Sequence, residues 1–241
     1  MNLTALKDTI TKRRSHRSYT ENRLSDATLA TIESTFGELV PLFPNIKYSL
    51  RLVEREELRT TMRWFPPMAI VLFSEVEEGY LENAGFILGQ LDLYLQSTGL
   101  GACFVGMGKP LDITTIPDNM EFVMLLAFGE SLDAMRSGEK DFARLDISEV
   151  TDIPDAATAL AGLAPSSLNS QPWYFTKTDR RTYRVFRKEL VRSRNITRMN
   201  LIDVGIAASY LFIAALGTRR AFREEKPTKM SGKQYLFTIE V

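Results

Sequence analysis

The chain of 241 residues carries one cysteine, Cys103, and one histidine, His16. A lone thiol closes no intramolecular disulfide, and a lone imidazole leaves no Cys/His set for zinc, so no metal site is expected. Charge of one sign is also missing. Thirty Lys and Arg stand against thirty Asp and Glu with no dense basic run, which removes the footprint of a nucleic-acid or membrane-surface partner. Lys7 and Asp8 interrupt Met1–Arg14, which reads as an amphipathic helix and not as a secretory leader. The longest uncharged stretch of the C-terminal half, Val204–Thr218, falls below the roughly 18 to 20 apolar residues that span a bilayer. These absences predict a cytoplasmic protein, and 44% apolar residues predict a substantial buried core.

What the sequence does contain is a repeat. Tyr80–Gly101 and Asn200–Arg220 both read as buried helices, and an offset of 120 places Gly85 on Gly205, Tyr80 on Asn200, Leu81 on Leu201, Leu91 on Leu211 and Thr98 on Thr218. Candidate strands flank both: Ile46–Glu54, Met68–Ser74 and Glu121–Gly129 around the first, Trp173–Lys177, Tyr183–Arg187 and Gln234–Val241 around the second. Their aromatic and β-branched bias suits a pleated, partly buried surface. Each half thus reads helix, strand, strand, helix, strand, an α+β pattern. Residues 1–130 form the first half and 156–241 the second. The polar segment 131–155 joins them over the surface. The economical packing sets the halves about a pseudo-two-fold axis, so that one chain imitates a symmetric dimer; the alternative is chance likeness between two apolar helices.

Three segments carry candidate chemistry. In Lys12–Tyr19, Arg13 and Arg17 share a face if the chain is helical, and Arg13, Ser15 and Arg17 share a side if it is extended. Two guanidinium forks around a hydroxyl suit a phosphate dianion, although a basic helix end also serves simply to satisfy terminal carbonyls. In Ala164–Phe175, Pro165 and Pro172 fix the backbone around Ser166, Ser167, Asn169 and Gln171. Such a segment can wrap a polar ligand or cap a helix end. In Gly99–Pro110 four glycines allow backbone amides to approach a flat ring or phosphate, but the spacing is not that of a dinucleotide fingerprint, and a helix terminator explains the first two.

In this order around a duplicated α+β unit, the segments Arg13-Arg14-Ser15-His16-Arg17, Pro165-Ser166-Ser167-Leu168-Asn169-Ser170-Gln171-Pro172-Trp173, Gly99-Leu100-Gly101 and the late Arg144 resemble the nitroreductase-like flavoproteins. The resemblance covers most of the chain. It implies a nitroreductase-like fold, here a fused pseudo-dimer, because the Pro-Ser-Ser segment opens the second half where ordinary members carry it in the first third of the chain and reach the neighbouring subunit's flavin. It implies one FMN per chain. Arg13, Arg14, Ser15, Arg17 and Arg144 would take its phosphate and ribityl side, with Pro165, Ser166, Ser167 and Asn169 supplied in cis. Phe104, Val105, Gly106 and Met107 would line the ring, with the Gly106 N–H beside N5, and Arg63 would reach the pyrimidine edge. The mirror-related site would be dead, since Phe36–Asn45 lacks the Ser-Ser-x-Asn core.

The same resemblance implies transfer of hydride from NADH or NADPH to FMN and on to a small organic acceptor, nitroaromatic or quinone-like, with the cofactor carrying the chemistry. No Ser/His/Asp set or carboxylate pair competes with that reading. His16 reads as structural and Cys103 as a packed residue. The alternatives are an FMN-binding storage or sensor protein and a cofactor-free interaction module on the same fold.

Overall fold

The computed structural model describes residues 1–64, 66–112, 116–189, 193–217 and 220–241; Thr218, one end of the repeat alignment, lies outside them. Two helices open the chain. Asn2 caps α1 (Leu3–Ile10) by accepting the Thr4 and Ala5 N–H groups, and Ser25 caps α2 (Asp26–Ser34) through the Thr28 N–H. These side-chain caps satisfy donors that a helix start leaves orphaned.

The aromatic and β-branched segments build two antiparallel four-stranded sheets. The first uses β1 (Tyr48–Glu54), β3 (Met68–Glu75), β4 (Gly101–Val105) and β6 (Met120–Gly129), in the order β1-β3-β6-β4; β2 (Leu58–Thr60) and β5 (Gly108–Pro110) pair separately as a short ribbon. The second uses β7 (Trp173–Asp179), β8 (Thr182–Lys188), β9 (Arg220–Phe222) and β10 (Lys233–Glu240), in the order β7-β8-β10-β9. Both sheets therefore place their first, second, last and short third strands in the same sequence. The α+β expectation holds, with two departures. The Gly99–Pro110 segment is mostly strand, and each half has a short third strand that its few residues could not announce by periodicity.

Between the sheets lie α3 (Tyr80–Ser97) and α5 (Arg194–Ala215), both buried almost all round, with the short α4 (Ala156–Ala161) against α5. One continuous core draws on both halves. By length and composition α5 is apolar enough to cross a membrane, which exceeds the sequence expectation, but here it is the core helix. Where the two helices cross, a Cβ on Gly85 would collide with the Ile202 carbonyl, one on Gly205 with the Glu82 carbonyl, and one on Gly89 with Ser209. These contacts are reciprocal under the 120-residue offset: 85 with 205, 82 with 202, 89 with 209. At Gly85 and Gly205 glycine is required because two backbones touch.

The opposite face of the first sheet carries a smaller apolar cluster, Val53, Ala69, Val71, Phe73, Val105, Leu125 and Ala127, covered by Leu58, Met62 and Trp64 among others. This cover and the edge strand β4 frame the site.

Candidate functional site

Lys12–Thr20 leaves α1 as extended chain along the β4 edge, where the His16 N–H donates to the Ala102 carbonyl at 3.0 Å and the Thr20 N–H to Glu130 at 2.9 Å. The side chains do not alternate strictly: Arg13 and His16 are buried, Arg14 and Arg17 exposed and Ser15 half-buried, so Arg13 and Arg17 part instead of sharing one side. Arg13 is only 1% exposed. Its Nε lies 3.1 Å from Asp92 Oδ2 and its Nη2 donates to Asp92 Oδ1 at 3.4 Å, while both Nη atoms stand 3.5 Å from Ser15 Oγ. Burial alone would depress its pKa; the Asp92 carboxylate overcomes this and the net shift is upward. Arg13 is thus committed to Asp92 and holds Ser15 in place, while Arg14 is exposed and binds the Ala134 carbonyl.

Residues 133–145 return across this segment. Arg136 donates to the Arg13 carbonyl at 2.7 Å and lies over the Phe142 ring, with Arg144 also near that ring. Arg144 donates to Asn169 Oδ1 at 2.8 Å and to the Leu163 carbonyl at 3.1 Å, and its Nε is buried without a partner. It has no carboxylate. Burial, then the charges of Arg13 and Arg136, push its guanidinium down to about 10, and Arg136 is lowered by burial and by Arg13 and Arg14. Asp92 is held by Arg13 and the Asp141 charge acts on Arg136, so with Arg13, Arg136 and Arg144 against two carboxylates the cluster stays net positive. It can accept an anion with several oxygens.

The Pro-Ser-Ser segment meets this cluster from the second half. Asn169 Nδ2 donates to the Ala143 carbonyl at 3.0 Å, Gln171 Oε1 accepts the Leu145 N–H at 2.9 Å, and the Gln171 N–H donates to Ser166 Oγ at 2.9 Å. Pro165 is buried, and the Ser167 N–H is taken up by Asp203. The sequence-predicted residues Ser15, Arg144 and Asn169 therefore belong to one constellation built around Arg13.

Arg17 and Arg63 come together elsewhere on the same strip, lining a cleft of about 770 Å³ with Tyr19, Trp64, Pro67 and Met68. The rings of Tyr19 and Trp64 are 6.3 Å apart. In β4, Phe104 packs on the helix side and Val105 on the opposite face. Gly106 follows, and a Cβ there would meet the Met199 methyl of α5; Met107 is exposed, with its carbonyl held by the Thr61 N–H and Thr60 Oγ1. Neither Gly106 nor Arg144 lines the Arg17–Arg63 cleft.

His16 Nδ1 is 2.6 Å from Ser131 Oγ, and burial followed by the Arg13 charge lowers its pKa. Cys103 is buried, its thiol pushed up by burial. Among the described residues no group of three or more His, Cys, Asp or Glu could hold a metal. Motif reading missed Asp92, Arg136, Met199 and Asp203. The one available signal was polarity: Asp92 and Asp203 are charged residues inside otherwise apolar helices, and such residues are buried only with partners.

The family model described as "Putative TM nitroreductase" matches residues 5–215. Among solved structures, a "putative nitroreductase" of Thermotoga maritima superposes with a TM-score of 0.67 at 17% identity, covering 98% of this chain and 93% of its own. An FMN-dependent nitroreductase of Clostridium difficile R20291 gives a TM-score of 0.46 at 19% identity over 61% of this chain and 95% of its own. A nitroreductase with bound FMN from Desulfitobacterium hafniense DCB-2 gives 0.44 at 13% over 61% and 100%. No curated protein matches. The Thermotoga protein shares the fold over nearly the whole chain, and the family match, which runs from α1 to the end of α5, makes this chain a member of that nitroreductase family.

Proposed function

We propose that this chain binds one FMN and uses it to pass hydride from NADH or NADPH to a small organic acceptor of nitroaromatic or quinone type. The observation that carries the reading is the Arg144–Asn169 pair. It joins a guanidinium without a carboxylate to the Pro-Ser-Ser segment, beside Ser15 and Arg13, within one polypeptide. A terminal phosphate fits this donor set, since it supplies negative charge beside Arg144 and an acceptor for the orphaned Arg144 Nε. FMN bound there would supply the hydride-accepting ring and the route of electrons to the acceptor. Ser15, Arg144 and Asn169 would hold the phosphate end, Arg13 would fix Ser15, and Arg17 and Arg63 would face the polar edge of the ring from their cleft.

We further read the chain as a fused pseudo-dimer with one live site. The matching sheet orders and the reciprocal glycine contacts support the duplication. At the mirror-related position Phe43 is buried, the Arg223 guanidinium lies 5.2 Å from its ring centroid, and Arg223 pairs with Glu78 at 3.2 Å. An aromatic residue, held by Asn83 as Ser167 is held by Asp203, thus stands where the second half carries its serines. Heat release of the cofactor and its mass test the reading: FMN is expected, and FAD alone would reject it. Anaerobic addition of each nicotinamide then tests turnover. Bleaching of the flavin absorbance is expected, whereas bound FMN that neither nicotinamide reduces would favour the storage or sensor alternative.

A further inference from the structure

The turn that presents Asn169 follows an unusual backbone path. Leu168, Asn169 and Gln171 all have φ in the left-handed region, at 53°, 55° and 46°, and Leu168 is 94% exposed. A non-glycine residue rarely adopts that conformation, and a leucine in solvent repays none of the strain through packing. Something must hold the turn. Side-chain bonds to 143–145 grip its far end, but its first N–H, that of Ser167, is taken by Asp203 alone, at 3.1 Å from each carboxyl oxygen.

Asp203 is 4% exposed on α5. Under the 120-residue offset it corresponds to Asn83, whose Oδ1 accepts the Phe43 N–H at 3.0 Å. The two halves thus use the same device, a helix side chain that anchors the loop ahead of the first strand, but the half carrying Asn169 uses a group that can ionise. We propose that Asp203 is the positioning residue of the site: it latches the Ser166–Gln171 turn through the Ser167 N–H, and burial of its carboxyl makes closure of the turn pH-dependent.

The direction follows from burial. Desolvation raises the Asp203 carboxyl, the Ser167 N–H partly offsets this, and the result is a group pushed up to about 8. The titratable groups on the elements packed against α5, including Lys7 and Asp8 of α1 and Asp92 of α3, add no charge effect at Asp203. Glu82 of α3 lies among Arg223, Glu78 and Arg187; Arg187 of β8 bonds Gln234; Lys177 of β7 and Tyr183 of β8 bond Asp155; and Arg144 bonds Asn169. α4 carries no charge. When the turn opens and water reaches Asp203, its pKa returns toward the ordinary carboxylate value. Closing the turn therefore takes up a proton between that value and about 8, and the latch weakens as pH rises through this window.

This inference rests on the FMN reading only for its effect on cofactor affinity. Hydrogen exchange of the Ser167 amide in cofactor-free protein measures the latch itself. After correction for base-catalysed exchange, protection is expected to fall about tenfold per pH unit between roughly pH 6 and 8 and to level off above. Asp203→Asn, which keeps an acceptor, should stay protected and lose the pH dependence, whereas Asp203→Leu should lose protection throughout. In FMN titrations at pH 7, Asp203→Leu should bind about tenfold more weakly than wild type, with Asp203→Asn close to it. Wild-type protection that is flat with pH, or a Leu variant protected like wild type, would overturn the latch. Wild type that takes up no FMN would instead overturn the flavin reading, and the exchange data would still decide the latch.

Discussion

At the scale of single residues, two arginines of the same cluster do different work, and substitution should separate them. Arg144 has no carboxylate and a buried Nε without a partner, so Arg144→Ala should leave the fold intact and weaken FMN by about 1.5 to 3 kcal/mol, the scale of a hydrogen bond to a charged group. Titration of FMN fluorescence reads this, and unchanged affinity would remove Arg144 from the site. Arg13→Ala instead leaves the fully buried Asp92 carboxylate without its counter-charge, held only by Gln96 and Tyr210. Loss of one partner of a buried pair costs about 3 to 5 kcal/mol of stability, visible as a lowered denaturant midpoint. His16 adds a pH term. Because burial and Arg13 lower its pKa, the unfolded chain binds a proton that the folded chain resists. The stability this contributes is complete above the ordinary histidine value and is lost as pH falls through that value toward the lower folded one. The midpoint of wild type should drop on acidification through that range more than that of His16→Gln, and parallel pH profiles would contradict the assignment.

At the scale of elements, the helix crossing of α3 and α5 makes the firmest demand on sequence. Gly205→Ala would drive a methyl group into the Glu82 carbonyl, a backbone atom that no rotamer change can move. Overpacking of this kind costs about 1 to 3 kcal/mol or more. At Gly37, which has open space around it and an ordinary φ, alanine should be neutral or stabilise by up to about 1 kcal/mol through the unfolded chain. Equal midpoints for the two variants would mean that the helices do not cross at the glycines. The two buried helices were legible in the sequence as equivalent apolar runs with Gly85 and Gly205 at equal places, whereas their crossing at those glycines was not. The six longer strands were legible because of their aromatic and β-branched bias. β2, β5 and β9 were not, since three residues carry no period, and β4 was hidden by glycines that also end α3. The grouping of Ser15, Arg144 and Asn169 was legible because each stands in a motif that names a candidate chemistry. The site was illegible where a residue acts through a partner distant in sequence: the roles of Asp92 and Asp203 depend on Arg13 and Ser167, which are 79 and 36 residues away.

At the scale of the whole molecule, the question is which polypeptide completes the site. In a two-chain arrangement the Pro-Ser-Ser segment reaches a neighbour's flavin, but here Arg144 and Asn169 of one chain are 2.8 Å apart. Stoichiometry does not separate these cases, because both give one FMN per chain. Complementation does. If the site is built in cis, co-expressing an Arg144→Ala chain with an Asn169→Ala chain restores nothing, since each polypeptide keeps its own lesion. If the site were exchanged between chains, a mixed dimer would hold one site with both lesions and one with neither, recovering up to roughly half of the normal sites by symmetry. Differently tagged chains purified together, followed by FMN titration, distinguish the outcomes. We expect no high-affinity binding in the mixture beyond the sum of the two variants alone, and tight binding at a fraction near one half would replace the pseudo-dimer with a true one.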